Sequence, residues 1–268
     1  LAVFSFKETI MTVRLSNALR NYVNEQGSLK HALQGGKLLV YSGAQPATPE
    51  TAPSGTLLCT YTASSAAHTA EVLAVGTVTL STGAAGSVDT ITVDGVDILP
   101  SAVAFNTSLA QTALDCITAI NKASTSPKYK ASTGGSGVIN ITAARGAGAE
   151  ANGLVVSGSF TTITGSYGNM ASGVTAVNGL NFGASASGVL SKDDAQTWSG
   201  VAAASGTAGW ARFVGAVADS GAADSTDSQV RIDMSISTSG SDLNLTSTAI
   251  AATATQTISG FAITLPAS

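Results

Sequence analysis

The sequence predicts a mainly β protein: a β-sandwich or jelly-roll-like outer domain with an N-terminal helix, interrupted by an inserted small α+β domain. Three observations predict it. The stretch SQVRIDMSIS (228–237) alternates, with Val230, Ile232, Met234 and Ile236 on one side and Arg231, Asp233 and Ser235 on the other. That is the period of a strand with one buried face and one wet face. Many such short runs are separated by Gly, Ser and Asp clusters, the texture of a sandwich. Between about Ala66 and Val177 the texture changes to a strand–strand–helix–strand–strand (ββαββ) rhythm able to bury a core of its own. The expected division is an arm at 1–10, a discontinuous anchoring domain at 11–66 and 177–268, and an inserted surface domain at 67–176.

The elements follow in order. Leu15, Ala18, Leu19, Tyr22 and Val23 recur at helical spacing within 12–34, one apolar stripe. Gly27 interrupts it, Leu29–Leu33 restarts it, and Gly35-Gly36 ends it. Such a helix either plugs the open end of its own sandwich or docks onto a neighbouring subunit. KLLVYSG (37–43) and TLLCTYT (56–62) are strands around the Pro-punctuated loop AQPATPETAPSG (44–55).

In the insert, EVLAVGTVTLS (71–81) and VDTITVDGVDIL (88–99) are strands, the second folded at the turn dipeptide Asp94-Gly95. A helix at 108–123 carries Ala110, Ala113, Leu114, Ile117 and Ile120 as its inner stripe. YKAST (129–133), VINITAA (138–144) and NGLVVSGS (152–159) are its remaining strands. Alternation returns in GWARFVG (209–215), which buries either Trp210 with Val214 or Ala211 with Phe213. DLNLTS (242–247) and QTISGFAITLP (256–266), with Ile258 inward, close the chain.

Charged residues make up 10% of the chain and the net charge is −4, against roughly 25% charged residues in an average domain. A dedicated nucleic-acid binder would carry a basic excess, so that class is disfavoured. A neutral, hydroxyl-rich surface suits repeated packing between subunits, hence an expected homo-oligomer. Cys59 and Cys116 offer neither a disulfide framework nor zinc spacing and read as two buried thiols. No apolar run approaches the roughly 18 residues of a membrane span. LAVFSFKETI is interrupted by Lys7 and Glu8 and does not read as a signal peptide; Met11 reads as a natural start.

Candidate chemistry is sparse. His31 and His68 lack ligand-spaced partners, and no G-x-S-x-G elbow occurs. Asp193-Asp194 beside Gln196 and Trp198 has the residue types of a glycan site, yet paired acids act only when they flank a substrate; a polar turn is the simpler reading. STGGSGV (132–138) and ARGAGAEANG (144–153) lack the Lys-Ser/Thr of a phosphate cradle and read as turns. Asn106, Asn140 and Asn244 match the glycosylation pattern at a chance rate. Asp219, Asp224 and Asp227 could clasp calcium weakly, against a solvated loop. No catalytic, metal or cofactor site is expected, and no enzyme.

Five motifs carry a resemblance: RLSNALRN (14–21), GGKLLVYSGAQPATPETAPSGTLLCTYT (35–62), GTAGWARFV (206–214), VRIDMSISTSGSDLNLTSTAI (230–250) and QTISGFAITLPA (256–267). They resemble a family of tailed-bacteriophage virion structural proteins over residues 12–64 and 180–267. Members of that family run from the TLL strand almost directly into FGA; here NFGASASGVL begins only at 181. The intervening GTVTLSTGAAGSVDTITVDGV (76–96), AINKA (119–123) and GVINITAARGAGAEANGLVV (137–156) resemble a widespread phage surface module.

The resemblance implies a structural role in the virion, assembled in the bacterial host cytoplasm. A capsid-associated decoration subunit acting through multivalent contacts is the leading expectation. A tail, neck, baseplate or fibre subunit is the first alternative. A carbohydrate-binding module or glycan hydrolase using Trp198 or Trp210 and the Asp193-Asp194 pair is the second. The implied partners are major capsid or tail proteins, further copies of the chain and, in the fibre reading, a host surface glycan; nucleic acid and membrane are not expected. Arg14, Arg20, Tyr22, Arg231 and Asp233 are the candidate interaction residues, the last two as the exposed face of their strand.

Overall fold

The structure is a computed structural model that describes residues 13–125 and 127–264. The arm at 1–10 and Leu265 lie outside the described residues. The protein is mainly β, with several antiparallel sheets. The chain divides into two compact units: one runs up to Ala70 and resumes at Val177, and the other is Glu71–Ala176.

The first unit opens with Arg14–Leu15 (β1), helices Asn17–Glu25 (α1) and Leu29–Leu33 (α2), then Lys37–Ser42 (β2) and Leu57–Ala63 (β3). The second unit holds Val75–Thr82 (β4), Ser87–Val93 (β5), Val96–Asp97 (β6), Val103–Ala104 (β7), helix Leu109–Lys122 (α3), Lys130–Gly135 (β8), Val138–Thr142 (β9), Val156–Thr161 (β10) and Thr164–Ala171 (β11). The first unit resumes with Val189–Ser191 (β12), Trp198–Val201 (β13), Gly206–Val214 (β14), Arg231–Ser237 (β15), Leu243–Asn244 (β16), Ala249–Ile250 (β17), Thr255–Ile258 (β18) and Ala262–Thr264 (β19).

In the first unit a nine-stranded sheet runs β1-β15-β14-β2-β3-β13-β18, with β16 on β15 and β17 on β14. One face is apolar: Leu38, Val40, Ala211, Phe213, Ile232, Met234 and Ile236 are all buried. Phe182, Trp198, Phe213 and Phe261 meet in that core, with ring centroids 5.3 to 6.1 Å apart. α1 starts where Ser16 caps it: the Ser16 hydroxyl accepts from the Leu19 N–H at 3.2 Å. The same oxygen accepts from the Arg231 N–H at 3.0 Å and donates to the Gln229 carbonyl at 2.8 Å. One hydroxyl thus caps the start of the helix and ties it to β15. Ala18, Leu19 and Tyr22 are buried, but Leu15 lies in β1 and, with Val23, is exposed. The expected five-residue stripe is therefore a three-residue one.

In the second unit β10-β5-β6, with β7 on β5, forms one sheet and β11-β4-β9-β8 the other. α3 packs on β8, β9 and β4. It buries Thr112, Ala113, Cys116 and Ile120, whereas Leu114 is 45% exposed; the inner stripe is rotated from the expected one. Asp94 and Gly95 both take positive φ, 50° and 79°, as a two-residue hairpin turn requires. β11 was not among the expected strands. Outward from the core, Thr92 pairs hydroxyls with Ser157 at 2.7 Å and Thr90 with Ser159 at 2.9 Å.

Each unit buries one thiol. Burial pushes the Cys59 thiol up to about 11 and the Cys116 thiol up to about 12, so neither offers a thiolate near neutral pH. Both are expected to resist Ellman's reagent in the native protein at mildly alkaline pH and to react fully in concentrated guanidinium. Rapid native reaction of either would show that its core opens.

Candidate interaction surface

The alternation in β14 and β15 places their polar residues on the face opposite the core. Strand register then lines them into cross-strand rows: Arg14, Asp233, Arg212, Leu39 and Thr60 stand opposite one another across β1, β15, β14, β2 and β3. A neighbouring row holds Ser235, Trp210 and Tyr41. Trp210 stacks on Tyr41 with centroids 4.6 Å apart, and the Arg212 guanidinium lies 5.4 Å from the Trp210 ring centroid.

Where the charges of β14 and β15 lie, this face is not wet. Arg231 and Arg212 are each 1% exposed and Asp233 is 0% exposed, which overturns the expectation of an exposed Arg231/Asp233 interface. The reason is charge pairing under a roof of loops. Arg212 grips Asp233 with two bonds, Nε to Oδ1 at 2.7 Å and Nη2 to Oδ2 at 2.8 Å. Arg231 grips Asp219 in the same way, with both bonds at 2.6 Å. The remaining donors hold backbone: Arg212 Nη1 donates to the Thr51 carbonyl at 3.1 Å, Arg231 Nη1 to the Pro49 carbonyl at 2.9 Å, and Arg231 Nη2 to the Ala222 carbonyl at 2.9 Å. Arg14 Nη1 donates to the Pro46 carbonyl. The Pro-rich loop 44–55 is therefore strapped over the sheet by three arginines. Planar, multidentate guanidinium suits this task; a lysine would not.

The two buried acids titrate in opposite senses. Burial raises the Asp233 carboxyl above its ordinary value, against the pull of Arg212. For Asp219 burial works the same way, but the bonds from Arg231 and the Gly221 N–H outweigh it and hold the carboxyl low. A depressed folded-state value means that Asp219 stabilises the fold above the ordinary carboxylate range, near pH 3.9, and that this is lost as pH falls through its own lower value. Asp233 has the reverse sign, so acid relieves part of its burial cost. Asp219→Asn is therefore expected to lower the urea midpoint at neutral pH, with the gap to the parent chain narrowing below about pH 4. A gap independent of pH would contradict the assignment.

The other candidates fall elsewhere. Tyr22 is buried in the core, Arg14 is half-buried, and Arg20 is exposed on α1, where it donates to Asn17. Both indoles are 0% exposed, so neither offers a stacking platform for a sugar. Asp193 closes a turn by accepting from the Ala195 N–H at 2.9 Å. The three aspartates of 219–227 part company: Asp219 serves Arg231, Asp224 accepts from the Gln229 N–H at 2.7 Å, and Asp227 accepts from Asn17 at 3.0 Å. No cluster of His, Cys, Asp or Glu able to hold a metal occurs among the described residues. His68 Nε2 lies 2.9 Å from the Gly35 carbonyl, and His31 is exposed.

Three features had escaped the sequence reading. Glu71 is 2% exposed and its Oε1 accepts from the Gly146 N–H at 2.7 Å and the Gly148 N–H at 3.0 Å. The turn ARGAGAEANG thus forms an anion-receiving concavity of N–H groups, filled by the chain's own carboxylate. Arg212 carried no flag, since a lone arginine in a strand has no motif. The third feature is a hollow of ≈160 Å³ on the polar face of the first unit, beside Lys37, Leu39, Tyr41 and Arg212.

Compared with known proteins, the chain matches no protein-family model, no curated protein and no solved structure.

Proposed function

We propose that the chain is a structural protein of a tailed-phage virion: a capsid-associated decoration subunit in which a β-sandwich domain anchors and an inserted α+β domain serves as a surface module. One observation carries the reading. Four of the five motifs meet in one layer, where Arg14, the loop 44–55, Arg212 of β14 and Arg231 and Asp233 of β15 hold one another. The residues that carry the resemblance are thus among those that build this fold, which supports reading the resemblance as one of scaffold. The function follows from the resemblance, by way of the scaffold. The glycan reading loses its support, since both indoles are buried.

Immunogold electron microscopy on intact particles, with antibody against residues 71–176, tests the proposal. Gold over the head supports it. Gold at the tail or neck overturns decoration in favour of a tail or neck subunit, and particles without gold overturn a virion role altogether.

A further inference from the structure

We propose that the hollow on the polar face is a socket for one carboxylate on a short aliphatic stem: the side chain of a glutamate or aspartate of a neighbouring subunit. The inference deepens the assembly reading and rests on it. The floor is β2, where Lys37, Leu39 and Tyr41 point the same way, flanked by Val214 and Leu57; Pro53 walls one side. Its volume of ≈160 Å³ matches the roughly 150 Å³ that admits a benzene-sized group, which is also enough for the stem and carboxylate of a glutamate. Leu57 is 37% exposed there, an apolar surface that an aliphatic stem would cover.

The charge balance selects an anion. Asp219 borders the hollow, but its oxygens accept from Arg231 and the Gly221 N–H, so that pair is neutralised. Arg212 also borders the hollow, but Asp233 and the Thr51 carbonyl engage all three of its nitrogens, so that pair is neutralised as well. Lys37 forms no ion pair with a described residue. One uncompensated ammonium beside guanidiniums already paired, with the Leu39 and Leu57 side chains at hand, complements a monoanion with an apolar stem. A dianion would exceed the single unpaired charge, and a neutral polar group would leave it unmet.

The test uses the isolated full chain, so it does not depend on where the protein sits in a particle. Amide NMR shifts are followed on adding N-acetyl-glutamate N-methylamide, the glutamine analogue, or butyrate. Saturable shifts at Leu39, Tyr41, Thr60 and Val214 with the glutamate probe are expected. The glutamine analogue should bind at least tenfold more weakly, and Lys37→Gln should lose the response while Lys37→Arg keeps it. Equal binding of the glutamine analogue, or no localised shifts, would overturn the socket. Butyrate binding more tightly than the glutamate probe would overturn the side-chain source in favour of a free short-chain acid. Gold labelling of particles can fail while the socket persists, and the reverse, so the two ideas fall separately.

Discussion

Asp233→Ala is expected to destabilise the first unit by about 3–5 kcal/mol, the usual cost of leaving one partner of a buried ion pair behind. The guanidinium of Arg212 would keep its place at 1% exposure with its two shortest bonds gone. Water cannot take over without opening the loop above, and opening it would release the Thr51 carbonyl that Arg212 also holds. Replacing both partners, as Arg212→Met with Asp233→Leu, removes the charge as well as its partner and is expected to recover most of the loss. Urea unfolding followed by tryptophan emission measures both, because Trp198 and Trp210 both lie in the first unit. A loss under about 1 kcal/mol for the single variant, the scale of an exposed pair, would mean that the pair does not hold the sheet.

Replacing residues 70–176 by Asn-Gly is expected to leave the first unit folded. Thr69 and Val177 exchange both backbone hydrogen bonds, each at 3.0 Å. They therefore already stand as the closing pair of an antiparallel hairpin, to which a two-residue turn of that type is suited. The hydrophobic cores of the two units are built from different residues. The first unit's tryptophan emission should stay that of buried indoles, and its urea transition should overlay that of the full chain. Red-shifted emission or aggregation would show that the first unit needs the second to fold.

The sequence made the β class and most strands legible because alternation survives in VRIDMSIS and KLLVYS. β11 was hidden because TGSYGNMA is glycine-rich and half-exposed, with Met170 its single buried side chain. Period 2 tells which residues share a face, but it does not tell what covers that face. Arg231 and Asp233 were singled out for the right alternation and the wrong exposure, because the roof over them comes from residues about 180 positions away in the chain. Asp219 stands out in the sequence for its neighbours Asp224 and Asp227, whereas its partner is Arg231, twelve residues on in β15. The hollow leaves no linear trace: Lys37, Leu57 and Val214 meet only through strand register.

The inward turn of charge has a consequence for the exterior. Arg212, Arg231, Asp219, Asp233 and Glu71 are taken up inside, and outward hydroxyls such as Thr92 with Ser157 satisfy each other. Contacts made through such a skin rely on fit and on neutral hydrogen bonds, which counter-ions screen far less than they screen exposed charges. A contact confined to such hydroxyl faces would then vary little between dilute buffer and brine, whereas one made through the Lys37 ammonium would weaken as salt rises.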